Sequence, residues 1–202
     1  CRFYDFQKGN ILFDDKPIHS INKYVLRRQI ALVQQDVFLF SGNISDNIRL
    51  GNHHIVQEEI ESISESVSAH KFISSLPFRY DQELKEGGVG ISSGQMQLIS
   101  FARALASNPR ILVLDEATSS VDLETESQIQ SGIKQLTSGR TSIIIAHRIS
   151  TLMQADKILV LKHGQIVEFG VRKELLKQKG VFYKLCQSQL QSQYLPSDNS
   201  EE

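Results

Sequence analysis

The stretch from Ile91 to Asp122, ISSGQMQLISFARALASNPRILVLDEATSSVD, limits what this chain can fold into more than any other. At one end, Ser92-Ser93-Gly94 stands directly before the helix-forming run QMQLISFARALAS. Small polar side chains there accept hydrogen bonds from the first free N–H groups of a helix, and the unpaired amides and positive dipole end suit an anion. At the other end, Ile111 to Leu114 is a short apolar run that predicts a fully buried strand, and Asp115 and Glu116 close it. Ligands of open α/β sheets sit at the carboxyl ends of the strands. Successive strand side chains leave on opposite sides, so the two acids can serve different partners: one a hydrated divalent cation, the other a water molecule.

The rest of the chain supports an α/β reading. A length of 202 residues with 40% hydrophobic content suffices for one large domain with a subdomain. The charges nearly cancel, 22 basic against 23 acidic, which leaves no electrostatic footprint for nucleic acid or an anionic membrane. No apolar run approaches the ~20 residues of a spanning helix. Cys1 and Cys186 lie at opposite ends, which supports neither a disulfide framework nor a cysteine zinc site.

In chain order, Cys1 to Phe6 reads as the last turn of a helix. Asn10 to Asp14 reads as a short strand, Asp15-Lys16-Pro17 as a turn, Lys23 to Arg28 as a helical turn and Ile30 to Val33 as a strand. From Ser45 to Leu76 the spacing of Val56, Ile60, Ile63 and Val67 becomes helical and predicts a small helical insert. The loop Glu86-Gly87-Gly88-Val89-Gly90 precedes the helix described above. After it come a helix over about Glu124 to Leu136, a buried strand Thr141 to Ala146 closing on His147, and a hairpin of Lys157 to Leu161 with Gln165 to Phe169. Two helices reach about Ser188, and the polar tail from 191 to 202 reads as disordered.

Gln35, the run ISSGQ, ILVLDE, SSVD and His147, in this order and spacing, resemble the nucleotide-binding domain of an ABC transporter of the exporter type up to about Gln189. The resemblance implies an α/β, P-loop NTPase-like ATPase core with a parallel sheet and a partial antiparallel β part over 1–40 and 91–190, and a helical subdomain over 41–90. It also implies ATP and Mg²⁺ as ligands. Gln35 then matches the Q-loop glutamine near Mg²⁺ and the attacking water, although an amide after a strand also serves simply to satisfy backbone. Ser92, Ser93, Gly94 and Gln95 match the signature that faces ATP. Asp115 matches the Walker B aspartate, a Mg²⁺ ligand with Gln35, and Glu116 the general base. Asp122 falls at the D-loop and could equally cap the helix from Glu124. His147 matches the switch histidine on the γ-phosphate, and Glu86 the X-loop acid facing the transmembrane domain, with a solvated loop charge as its plain alternative.

Three departures accompany the resemblance. Ser93 replaces a usual glycine, which costs about 1 kcal/mol if that position needs φ > 0 and little otherwise. Ile91 replaces a usual leucine. A P-loop has the form G-x-x-x-x-G-K-[ST], and these 202 residues contain no Gly-Lys pair. In the family that loop precedes a helix ending in residues like Arg2-Phe3-Tyr4-Asp5, so the expectation is an N-terminally truncated core that begins just past it.

ABC domains are understood as head-to-tail dimers with ATP between the P-loop of one subunit and the signature of the other. The implied partners are a second nucleotide-binding domain and the transmembrane domain of the same transporter, at the cytoplasmic face of the membrane. Such a chain alone is expected to bind ATP weakly and not to hydrolyse it. A non-catalytic module completing a partner's ATP site is the alternative. An ABC-type ATPase of DNA repair or chromosome structure fits less well, because the helical insert is short and lacks heptads.

Overall fold

A computed structural model of the chain describes residues 1–50, 52, 54–116, 123–146, 149–152 and 154–194. It divides into two compact units, Cys1–Ile145 and Ala146–Glu202. In the first unit the strands are β1 (Leu12–Phe13), β2 (Lys16–Pro17), β3 (Ile30–Val33), β4 (Gly42–Asn43), β5 (Glu83–Leu84), β6 (Ile111–Glu116) and β7 (Thr141–Ala146), the last of which ends one residue into the second unit. Its helices are α1 (Lys23–Arg28), α2 (Ile44–Arg49), α3 (Gln57–Ser66), α4 (His70–Ser75), α5 (Ser93–Ala106) and α6 (Leu123–Thr137).

The central sheet has the order β3-β6-β7, with β3 and β6 parallel and in the register Ile30↔Ile111 to Val33↔Leu114. Two antiparallel pairs, β1 with β2 and β4 with β5, complete the β content. The architecture is the α/β core with a parallel sheet and antiparallel strands that the sequence predicts.

Helix α5 forms because its composition and both of its ends agree. Ser92 caps it reciprocally: its Oγ accepts from Gln95 N at 3.2 Å, and Gln95 Oε1 accepts from Ser92 N at 3.1 Å. Alanine, leucine and other good formers carry the helix to Ala106, and left-handed Asn108 (φ 43°) followed by Pro109 ends it. Leu98, Ile99 and Phe101 are fully buried, each worth about 1.5–3 kcal/mol relative to exposure. They share one cluster with Val33 of β3, Leu112 and Leu114 of β6, and Ile48, Ile60 and Ile73 of α2 to α4. The helices between 44 and 75 therefore rest on the same core as the strands.

Several details differ from the sequence reading. Residues Cys1 to Phe6 are not helical. Arg2 takes a positive φ of 54°, and its guanidinium donates to the carbonyls of Ile18 and Ile21, so the segment is held by side-chain bonds across the unit. Strand β6 alternates between half-buried and buried positions, and β7 is barely covered: Ile143 and Ile145 are 57% and 51% exposed. Burial alternates along these strands, so a continuous apolar run does not imply two fully buried faces here.

The second unit contains α7 (Ile149–Leu152), β8 (Ile158–Lys162), β9 (Gln165–Gly170), α8 (Arg172–Gln178) and α9 (Val181–Tyr194). The hairpin closes through His163 and Gly164, both with positive φ (50° and 75°), the geometry whose twist matches paired strands. Ile158, Val160, Leu175 and Phe182 make its core. Glu168 reaches from β9 to accept from the amides of Val181 and Phe182, capping α9 from outside. That helix continues six residues beyond Ser188.

Candidate functional site

The register of β3 and β6 assembles the first part of the site. Val33 lies beside Leu114; Gln35 follows two residues after the one and Asp115 directly after the other. Both therefore stand at the carboxyl edge of the parallel pair, Gln35 exposed and Asp115 half-buried. Glu116 closes β6, and its side chain lies outside the described residues, as do Asp122 and His147. An amide and a carboxylate are oxygen donors of the kind that suits a hard cation which keeps waters and takes its other ligands from phosphate, so the chemistry of these residues fits Mg²⁺.

The signature residues occupy a different element. Ser92 and Ser93 are exposed, Gly94 is buried and Gln95 is half-buried. Ser93 is the first residue of α5 and does not have a positive φ. The serine is thus free of the backbone strain that a left-handed position would impose. Ser92 and Gln95 spend part of their hydrogen-bonding capacity on each other, which holds the first turn in shape. Among the described residues no hydrogen bond or ion pair joins this turn to Gln35 or Asp115.

Sequence reasoning passed over the groups that connect α5 to the segment after Gln35. Arg103 Nε donates to Asn47 O at 2.8 Å, Nη1 to Phe38 O at 2.9 Å and Nη2 to Asn47 Oδ1 at 3.0 Å. Its guanidinium also lies 5.6 Å from the centroid of Phe40, a cation–π contact. Burial lowers the guanidinium's pKa from its ordinary value. Asn47, 2% exposed, in turn bonds both backbone groups of Phe40 at 2.9 Å. The legible signal was a cation inside the apolar run FARALA. Beside this network opens a cleft of about 690 Å³, lined by Arg27, Arg28, Arg49 and Arg103 and, among the acids of the described residues, by Asp36 alone.

Comparisons with known proteins bear on the fold. The chain matches the solved structure of a bacterial Atm1-family ABC exporter with ATP bound, with a TM-score of 0.86 and 36% identity over 98% of this chain and 34% of that one. It is 46% identical over 191 residues to the uncharacterized ABC transporter ATP-binding protein YfiC of Bacillus subtilis, covering 95% of this chain and 32% of that protein. It is 47% identical over 188 residues to the ATP-dependent lipid A-core flippase of Saccharophagus degradans, covering 93% and 32%. The chain thus spans about a third of the length of these relatives. The fold matches that of an α/β ABC ATPase core. The chain belongs to the ABC transporter family, whose model matches residues 1–119.

Proposed function

We propose that the protein containing this chain is an ATP-driven exporter and that the chain contributes to two different nucleotide sites. The placement of Gln35 and Asp115 just past Val33 and Leu114, at the carboxyl ends of neighbouring parallel strands, carries this reading. In it, Asp115 and Gln35 hold the cation of the nucleotide bound to their own subunit, Glu116 orients the attacking water, and His147 contacts the γ-phosphate. A bound Mg²⁺ supplies charge stabilisation at the phosphate oxygens. Ser92 to Gln95 present the capped start of α5 to nucleotide held by a second such domain in a head-to-tail dimer, with Asp122 at the contact between them.

Relatives whose names describe export and lipid flipping, and a solved exporter of the same fold, support the transport reading. The arginine-lined cleft beside the segment after Gln35 supports a docking role toward the transmembrane domain, with Glu86 exposed nearby in sequence on the loop before α5. In this reading the chain lies at the cytoplasmic face of the membrane. Among the described residues no helix is long and apolar enough to cross one.

In the full-length protein, Glu116→Gln is expected to abolish steady-state ATP hydrolysis and leave ATP binding intact; hydrolysis that survives this change refutes the assignment. The 202 residues alone hold no Gly-Lys pair to cradle the β- and γ-phosphates, so they are expected to bind ATP weakly. Turnover by the purified chain that Glu116→Gln removes would overturn that part.

A further inference from the structure

Among the described glycines of the loop from 85 to 91, Gly88 alone is buried, and it lies where two functional segments converge. The loop is fixed by its backbone: Gly87 N donates to Leu39 O at 3.0 Å, Gly88 N to Lys85 O at 2.9 Å and Ile91 N to Gly88 O at 3.0 Å. Gly88 has φ +72°. A β-carbon on it would stand 2.8 Å from Met96 Sδ on one side and 3.0 Å from Leu39 Cδ1 on the other. Both distances are below ordinary van der Waals contact. Met96 lies in the first turn of α5, directly after Ser92 to Gln95, and Leu39 is fully buried four residues past Gln35. Gly87 (φ +76°) and Gly90 (φ +93°) share the left-handed backbone, yet a β-carbon on either meets nothing within 4 Å.

Only at position 88 does the absent side chain do more than permit a turn. It lets the backbone seat itself between Met96 and Leu39. We propose that Gly88 is a positioning residue for ATP turnover: its bare α-carbon sets how closely the first turn of α5 approaches the segment leaving Gln35. This rests on the proposed role of Ser92 to Gln95 toward a partner's nucleotide. A methyl group at 88 has to displace Met96 Sδ and Leu39 Cδ1; Leu39 is fully buried, so in this proposal the displacement is passed to the packing around the first turn of α5. Binding of nucleotide to the subunit's own strand-end residues does not pass through this contact, whereas turnover, which needs the signature turn in register, does.

The test uses the full-length protein in lipid vesicles, reading kcat for ATP hydrolysis and equilibrium ATP affinity for each variant. Gly88→Ala is expected to lower kcat at least tenfold with ATP affinity within twofold. Gly87→Ala, with similar backbone strain and no contact, is expected to stay within threefold of the unmodified protein in both. Pairing Gly88→Ala with Met96→Ala removes the closer obstruction and is expected to bring kcat back to within threefold of Gly87→Ala. If Gly88→Ala does not fold, the double variant is compared with Gly87→Ala directly, and a tenfold lower kcat there overturns the proposal. Equal kcat for Gly88→Ala and Gly87→Ala overturns it too, as does no recovery in the double variant while Met96→Ala alone is active. Failure of the underlying ATPase reading looks different: the unmodified protein would show no turnover, or turnover indifferent to Glu116→Gln.

Discussion

Replacing Arg103 with alanine removes three hydrogen bonds at once, those to Phe38 O, Asn47 O and Asn47 Oδ1. A hydrogen bond to a charged group contributes about 1.5–3 kcal/mol. The bond to Phe38 lies on the exposed side, where solvent screening reduces its worth, and the buried guanidinium carries a desolvation penalty that its loss refunds. The balance is a loss of about 3 kcal/mol, which also includes the packing against Phe40. Hydrogen exchange of peptides covering Ser93 to Ala106 reads this unit separately from the rest of the chain. A 3 kcal/mol loss corresponds to exchange faster by about two orders of magnitude. Arg103→Lys keeps one of the three bonds and should fall between. Arginine is effectively always protonated, so the effect should be equal at about pH 6 and pH 8. A change below 0.5 kcal/mol for Arg103→Ala would show that the network is not what ties α5 to the segment after Gln35.

Ser92→Ala breaks the reciprocal cap of α5 and should cost about 1 kcal/mol, visible as faster exchange in the first turn alone. Ser93→Gly, which restores the residue more usual at that position, should lower stability by a few tenths of a kcal/mol because the serine is already helical; a gain on thermal denaturation would contradict this. Glu168→Ala should free the start of α9 by about 1 kcal/mol or more, seen as local exchange in the second unit. Tyr80 is buried beside His70, to which its hydroxyl bonds at 2.8 Å, and burial is the main cause raising its pKa. The raised value means its contribution is complete below the unfolded value of about 10 and is lost as pH rises through the folded one. Tyr80→Phe should therefore flatten the alkaline limb of a stability–pH curve, and an unchanged limb would assign that loss to other groups.

Local signals in the sequence were reliable where a segment's own residues decide its conformation. Lys23 to Arg28 and Ile30 to Val33 form the helix and strand that their composition predicts, and Ser92 does cap α5. That Gln35 and Asp115 follow neighbouring strands was legible only indirectly, because it depends on β3 and β6 pairing across some eighty residues. Long-range side-chain bonds were not legible at all. Arg2 holding Ile18 and Ile21, Arg103 holding Phe38 and Asn47, and Glu168 capping α9 each depend on what the fold brings near them. The same applies to Gly88: its neighbours Gly87 and Gly90 share its left-handed backbone, and only the packing around it separates a turn glycine from a contact glycine.

The exposed apolar side chains of the central sheet affect how the 202-residue chain behaves in a test tube. Leu32, Ile143 and Ile145 are exposed on β3 and β7, and among the described residues β7 has no strand along its outer edge. Such an edge is a template on which a second copy adds through its backbone. Handled alone, the chain should self-associate as its concentration rises, and a lysine at position 143 or 145 should keep it monodisperse in light scattering.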